Sequence, residues 1–217
     1  MIEVAGIWIP DDEEYLRRHL DATPGFADAY DAELIAMACA LARRRVAVDV
    51  GANVGLWSRR LVQSFAVVHA FEPLKAARSC FLRNVVGASL HPEALGDRNG
   101  TVAIRQKPTG EGSTTTLKTH VVRDSAAGET DLRTLDSFGF DDVDLVKIDA
   151  EGFDYFVLVG AEETIRKWRP AIVFEAKPGV SEKRYGVADD APCEWLEARG
   201  YAVRYEERGN FFMEAKE

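Results

Sequence analysis

Apolar and polar positions along the chain fall into two alternating patterns. Short apolar runs rich in β-branched residues, Val46 to Val50, Val67 to Phe71, Val143 to Ile148 and Ala171 to Phe174, suit strands buried on both faces of a sheet. Between them lie helix-compatible segments, one after Pro73 to about Val86 and one from Asp154 to about Trp168. The second is apolar at Val157, Leu158, Ala161 and Ile165 and is stopped by Pro170. Ser89 to Ala94 reads as a further strand, and Gly96 to Gly100 as a turn into Thr101 to Arg105. Leu135 to Phe138 reads as a short helix, and Ala191 to Ala198 as a helix closed by Gly200. Tyr201 to Tyr205 and Phe211 to Glu214 form a hairpin turning at Arg208-Gly209-Asn210. The alternation predicts an α/β fold: a doubly wound, mostly parallel seven-stranded sheet with a C-terminal antiparallel hairpin.

Ahead of this core, residues 1–45 read as a helical preface, and residues 46–217 as the main domain. The acids Asp11 to Glu14 suit the first turn of a helix reaching about His19, and Thr23-Pro24-Gly25 breaks it. A second helix, about Ala27 to Ala42, carries Leu34, Ile35, Ala38 and Leu41 on one face and ends in three arginines. Such helices pack on the sheet or cover a ligand. Gln106 to Glu129 is polar, too long for a simple connection, and reads as a mobile active-site loop or a solvated insertion. Lys177 to Asp190 reads as a loop.

Composition narrows the picture only a little. The 217 residues suit one domain with a sizeable core, and no apolar run approaches the ~20 residues of a membrane span. Without a basic-then-apolar leader, the chain reads as soluble and cytoplasmic, with no membrane partner. Cys39, Cys80 and Cys193 are scattered, which suits small buried hydrophobes better than disulfides or a zinc knuckle. A net charge of −9 repels a phosphate backbone, so a nucleic-acid partner is disfavoured.

Candidate chemistry concentrates after the first strand of the core, where Gly51-Ala52-Asn53-Val54-Gly55 leads towards a helix. In open α/β sheets a ligand sits at the carboxyl ends of the strands, where glycine permits close approach and a helix N-terminus offers amides. The dinucleotide fingerprint has a glycine where this chain has Asn53, so a pyrophosphate fits poorly. S-adenosylmethionine, which has no phosphate, fits better. Asp49 can attract its ammonium, and Glu72, ending the second strand, can accept from both ribose hydroxyls.

Four ordered motifs, Val48 to Gly55, His69 to Pro73, Leu135-Asp136-Ser137 and Val146 to Gly152, resemble those of FkbM-like S-adenosylmethionine-dependent methyltransferases over about Val46 to Lys177. The resemblance implies a class I, Rossmann-like fold and O-methylation of a sugar or small natural-product hydroxyl, so the expected partner is a small-molecule or glycan acceptor. It implies that Asp49, Gly51 and Asn53 line the methionine end of the cofactor and that Glu72 meets the ribose. Glu93, Ala94 and Leu95 would flank the adenine, and Asp149 to Gly152 would lie near the transferred methyl. It says least about the substrate, because the first 40 residues and Gln106 to Glu129 have no firm match.

An alcohol acceptor must lose a proton. Asp149 is the foremost candidate base or orienting acceptor and Glu151 the alternate. A plain carboxylate is a weak base for an alcohol, so burial must raise its pKa or a metal must lower the substrate's. Asp149 and Glu175 end adjacent strands and are the pair to hold Mg²⁺ if the reaction is metal-dependent, although Ala176-Lys177 replaces the usual partner pair. Lys147 reads as a charge partner or as solvated. His91 and His120 are further candidate bases or merely packing residues. Two other readings stay open: a nucleotide-dependent oxidoreductase, and a cofactor-binding scaffold without activity.

Overall fold

The computed structural model describes residues 1–107, 118–122 and 130–216. Its main sheet has seven strands in the spatial order Tyr201–Glu207, Asn210–Ala215, Ala171–Glu175, Val143–Ile148, Val46–Val50, Val67–Phe71 and Ser89–His91. The last five in that order run parallel, and Asn210–Ala215 is antiparallel to both its neighbours. Val46–Val50 lies beside Val143–Ile148, so the strand order reverses there, and the carboxyl ends of these two strands open a crevice.

The α/β expectation therefore holds with a mixed sheet, but the strands do not form one sheet. A second, four-stranded sheet is ordered Ala94–Leu95, Thr130–Arg133, Gly100–Lys107, Lys118–Val122. The predicted strand Ser89 to Ala94 is divided at Pro92-Glu93: Ser89–His91 stays in the main sheet and Ala94–Leu95 joins the second. Proline has no amide to continue a ladder. Ile2–Val4 and Ile7–Ile9 form a separate hairpin ahead of the expected helices. The segment read as a loop from Gln106 to Glu129 overlaps two strands. Gly100–Lys107 pairs with Lys118–Val122, and the remainder of that expectation lies outside the described residues.

Both faces of the main sheet are covered. Val48, Val50, Val146, Ile148, Ile172 and Phe174 pack under Phe153, Val157, Leu158, Ile165 and Leu196. On the other face Ala47, Val68, Leu145 and Val173 meet Leu34, Ile35, Ala38, Trp57, Leu61 and Phe65. The expected apolar face of the second N-terminal helix is thus the one buried. Its length is not as expected, for Phe26–Ala29 and Ala32–Cys39 are separate helices joined at Tyr30-Asp31, with Asp31 in the left-handed region at φ 47°. The first helix is Glu14–Ala22, capped by Glu13, whose carboxylate accepts from the Leu16 amide at 3.2 Å.

Two helices differ from the periodicity for reasons of packing. The helix predicted from Asp154 to Trp168 breaks into Asp154–Val159 and Glu162–Trp168 at Gly160-Ala161. Gly160 lies so close to the second sheet that a Cβ there would stand 1.9 Å from the Gly96 carbonyl oxygen. Asp136, in the short Leu135–Phe138 helix, then takes up the free amides of Glu163 and Thr164 at 2.9 and 2.8 Å. In the segment read as a loop after Lys177, residues Val180–Tyr185 are helical. Among the described residues no helix is long and apolar enough to cross a membrane, and Cys39, Cys80 and Cys193 are free thiols.

Gly160→Ala should lower stability by about 2–3 kcal/mol, because backbone cannot yield as a flexible side chain does. A urea unfolding curve should show a reduced midpoint with an unchanged slope. An unchanged midpoint would mean that the Gly96-Asp97 segment moves aside freely.

Candidate active site

The crevice is built on a buried ion pair. Asp49 and Lys147 face each other in register on the two central strands, with the Lys147 ammonium 3.0 Å from Asp49 Oδ1. Ser58 donates to Asp49 Oδ2 at 2.7 Å. Lys147 also reaches the Gly51 carbonyl at 3.2 Å. Burial works against the ammonium, yet Asp49 and Asp149 together hold the Lys147 pKa above its ordinary value. Of the two readings for Lys147, charge partner is the one observed. Asp49 itself is fully buried, its carboxylate is engaged by Lys147 and Ser58, and it is not among the residues that line the cavities described below.

That turn is not the strand–turn–helix expected. Gly51 to Trp57 is a chain of turns, with Gly51, Asn53 and Gly55 at φ 73°, 49° and 94°, and the helix is only Ser58–Leu61. Gly51 is obligatory, because a Cβ would lie 2.0 Å from the Asp149 carbonyl oxygen. The amides are already taken. Gly51 and Ala52 both donate to the Phe71 carbonyl at 3.0 Å, Gly55 to Ala52 at 2.8 Å, and Asn53 to Glu72 Oε2 at 2.9 Å.

Glu72 is thereby fixed, its other oxygen accepting from the Leu74 amide at 2.7 Å. It is only 6% exposed, and burial raises its pKa to about 7 despite those two amides. Glu72 stands in a cavity whose walls include Gly51, Asn53, Phe71, Leu74, Glu93, Ala94, Leu95, Ile104, Asp149 and Glu151. Glu93 Oε2 is buried with no hydrogen-bonding partner among the described residues, an acceptor awaiting a donor. Pro10, Asp12 and Glu13 of the N-terminal segment close one side.

At the other end of this cavity the main chain is pinned around Asp149. Asp154, 3% exposed, accepts from the Ala150 and Gly152 amides at 3.3 and 3.1 Å. Ser181 donates to the Gly152 carbonyl at 3.0 Å and Arg184 to the Glu151 carbonyl at 2.6 Å, so the unexpected Val180–Tyr185 helix clamps the loop. Glu151 is held in the left-handed region, φ 55°, a conformation uncommon outside glycine and asparagine.

Asp149, Glu151 and Glu175 converge, but on a residue the motifs did not mark. Lys177 Nζ lies 3.3 Å from Asp149 Oδ1, 2.9 Å from Glu151 Oε1 and 3.0 Å from Glu175 Oε2. Burial would raise the Asp149 pKa, but Lys177 and Lys147 outweigh it and hold this carboxyl below its usual range. Burial leaves Glu151 raised and, with the Asp149 charge beside it, lifts Glu175 to about 7. Raising of the Asp149 pKa by burial is therefore not what the structure does. Nor do Asp149 and Glu175 present a metal's donor set, because an ammonium occupies the point they share. Among the described residues no group of three or more His, Cys, Asp and Glu side chains is arranged to hold a metal.

A second, polar cavity has Asp149 among its lining residues, as the first has. Tyr15, Tyr30, Asp31, Trp57, Lys147, Glu175 and Asn210 line it. Burial raises the Asp31 pKa even though its carboxylate accepts from Trp57 Nε1 at 2.8 Å. His91 is in neither cavity. It stacks on Phe71 at 4.5 Å and contacts His69 at 3.1 Å, with burial lowering its pKa, so packing is its observed role. The His120 side chain lies outside the described residues. Of the residues singled out in the sequence, Gly51, Asn53, Glu72, Glu93, Ala94, Asp149 and Glu151 line one cavity. Lys177 was missed because nothing in Glu-Ala-Lys sets it apart from a surface lysine after a strand.

Residues 49–203 match the family described as Methyltransferase FkbM domain. Among solved structures the chain is similar to methyltransferase FkbM from Methylobacillus flagellatus KT, with 16% identity and a TM-score of 0.52. That likeness covers 92% of this chain and 54% of the other, so this chain spans about half its length. It is also similar to SMU.1697c from Streptococcus mutans, solved in complex with SAH, with 10% identity, a TM-score of 0.50 and coverage of 84% and 94%. At such identities the likeness to solved structures shows the fold. No curated protein matches by sequence.

Glu72 makes stability depend on pH with a definite sign. Its folded pKa, about 7, is above its ordinary value of 4.5, so the folded state holds the proton more tightly. Stability is lost as pH rises from about 4.5 to 7, and the penalty is complete above 7, on the order of 3 kcal/mol at most. His69 and His91, lowered by burial, act with the opposite sign, so wild type must be compared with Glu72→Gln. The stability of ligand-free wild type relative to Glu72→Gln, from urea curves, should fall between pH 5 and 8. A rising difference would contradict the assignment.

Proposed function

The chain belongs to the FkbM methyltransferase family, and from that membership we propose that it methylates a hydroxyl of a sugar or small natural product, using S-adenosylmethionine. The observation that carries this reading is that Asp149 lines two cavities, one suited to the donor and the other suited to a polar acceptor.

The first cavity fits the donor in three respects. Glu72 has lone pairs left after its two amide bonds, enough to accept from two ribose hydroxyls. The orphaned Glu93 oxygen supplies an acceptor for an exocyclic amine between the apolar walls of Phe71, Leu74 and Leu95. The bare backbone at Gly51 and the carboxylates of Asp149 and Glu151 give a cationic amino-acid end close approach and opposite charge. A pyrophosphate fits less well, since the amides of Gly51, Ala52, Asn53 and Gly55 already have acceptors, which weighs against a dinucleotide oxidoreductase.

When bound, S-adenosylmethionine supplies an electrophilic methyl on a positively charged sulfur. The chain's contribution is placement and proton acceptance. Tyr15, Tyr30 and Trp57 offer faces for a sugar ring or similar body, and Asp31 and Asn210 offer polar contacts that set its orientation. Asp149, kept ionised by Lys177, orients the hydroxyl by accepting from it. Glu175, with its pKa near neutrality, is the carboxylate able to take the proton at physiological pH. Glu151, folded back by its backbone and tied to Lys177, completes the charge around Asp149.

Isothermal calorimetry should show S-adenosylhomocysteine binding and no heat with NAD⁺. Glu72→Ala should weaken that binding about tenfold or more, a loss of at least about 1.4 kcal/mol. Asp31→Asn should leave it within about twofold and slow transfer of labelled methyl to sugars and hydroxylated natural products. Absence of S-adenosylhomocysteine binding by the wild type would overturn the proposal.

A further inference from the structure

We infer that Lys177 is a resident cation in the place a divalent metal would otherwise take, a positioning residue that makes the transfer site independent of metal. Three carboxylate oxygens from three points of the chain lie 2.9 to 3.3 Å from its one nitrogen. They come from the carboxyl end of Val143–Ile148, the turn after it and the end of Ala171–Glu175, and Lys177 sits two residues beyond the last of these. A hard divalent ion holds such oxygens at about 2.0–2.6 Å, so a modest inward movement of each would coordinate one. The ammonium is what occupies their common focus.

The charge balance explains the preference. Three carboxylates gathered without a cation cannot all stay ionised, since each disfavours the charge of the others. One ammonium, with only a quarter of its side chain exposed, relieves that repulsion and still leaves the cluster net negative. Asp149 remains a hydrogen-bond acceptor, and the cavity wall remains attractive to a cation. A divalent ion would place two positive charges beside a positively charged sulfur, whereas the lysine places one. Lys147 does not duplicate this role, because its ammonium is paired with Asp49 beneath the turn. The part of the inference that concerns the sulfur rests on the methyltransferase reading above.

The test compares wild type with Lys177→Met, Lys177→Gln and Lys177→Arg. Mn²⁺ binding is followed by the loss of the free-ion EPR signal. Lys177→Met and Lys177→Gln should each gain one Mn²⁺ site that wild type and Lys177→Arg lack. Calorimetry with S-adenosylmethionine and S-adenosylhomocysteine gives a second readout, which a purely structural clamp would not move. Removing one positive charge should shift the affinity ratio towards the charged sulfonium by about threefold or more, and Lys177→Arg should leave it unchanged. If both neutral variants unfold in EDTA but fold in Mn²⁺, the metal has replaced the ammonium and the inference stands. A Mn²⁺ site already present at these residues in wild type, neutral variants that fold without gaining one, or variants that stay unfolded with metal would each overturn it. An unchanged affinity ratio would overturn the electrostatic role. Failure of the methyltransferase reading shows separately, as wild type that binds no S-adenosylhomocysteine.

Discussion

The Asp49–Lys147 pair, buried between the two central strands, is the interaction on which the crevice depends. Both residues lie within a strand whose other positions are almost all apolar, so neither charge has water to return to. Removing either partner leaves an uncompensated charge in the interior, a loss of about 3–5 kcal/mol. The pair also carries geometry upward. Lys147 binds the Gly51 carbonyl, Gly51 fits against the Asp149 carbonyl only because it has no Cβ, and the turn then aims the Asn53 amide at Glu72. One ion pair thus sets the relative positions of Glu72 and Asp149.

The two ends of the cavity solve opposite electrostatic problems. At Glu72 burial outweighs two amide hydrogen bonds and the attraction of Lys147 and Arg78, and its pKa rises to about 7. At Asp149, which is less enclosed, burial is overcome by two lysines, and its pKa falls. A group meant to accept hydrogen bonds next to a reacting centre benefits from the second arrangement, because it stays ionised. Glu175, close to the same lysine but desolvated and repelled by Asp149, is raised to about 7, as Glu72 is, and can exchange a proton near neutral pH. The difference between the neighbouring carboxylates of Asp149, Glu151 and Glu175 comes from how burial balances against the charges around each, with Lys147 adding to Lys177 at Asp149 and the Asp149 charge opposing ionisation of the other two.

The N-terminal segment contributes more than cover. Its hairpin is tied to the body through Asn84, which bonds the Trp8 amide and carbonyl and the Val54 carbonyl at 2.8 Å each. Glu13 and Pro10 then fall on the first cavity, and Tyr15, Tyr30 and Asp31 on the second. Asp31 takes its place because the helix expected from Ala27 to Ala42 breaks there and turns its carboxylate towards Trp57.

Much of this was legible in the chain because it is written locally. Apolar runs such as Val143 to Ile148 are strands wherever they are buried on both faces, and the closing hairpin follows from Arg208-Gly209 between two alternating segments. The acid after the second strand, Glu72, and the small residue after the first, Gly51, stand where an open α/β sheet offers its crevice. The break at Gly160, the division of a strand at Pro92 and the helix Val180–Tyr185 were not legible as such. They answer to neighbours distant in the chain: the Gly96 carbonyl, a second sheet, and the carbonyls of Glu151 and Gly152. The same holds for the roles of the charged residues. The sequence shows that acids end adjacent strands, which made Asp49 a candidate for the ligand's ammonium and Asp149 with Glu175 the pair for a metal only if the reaction were metal-dependent. Which cation each acid meets depends on side chains that enter from other strands and loops, and only the folded chain brings Lys147 to Asp49 and Lys177 to the other three.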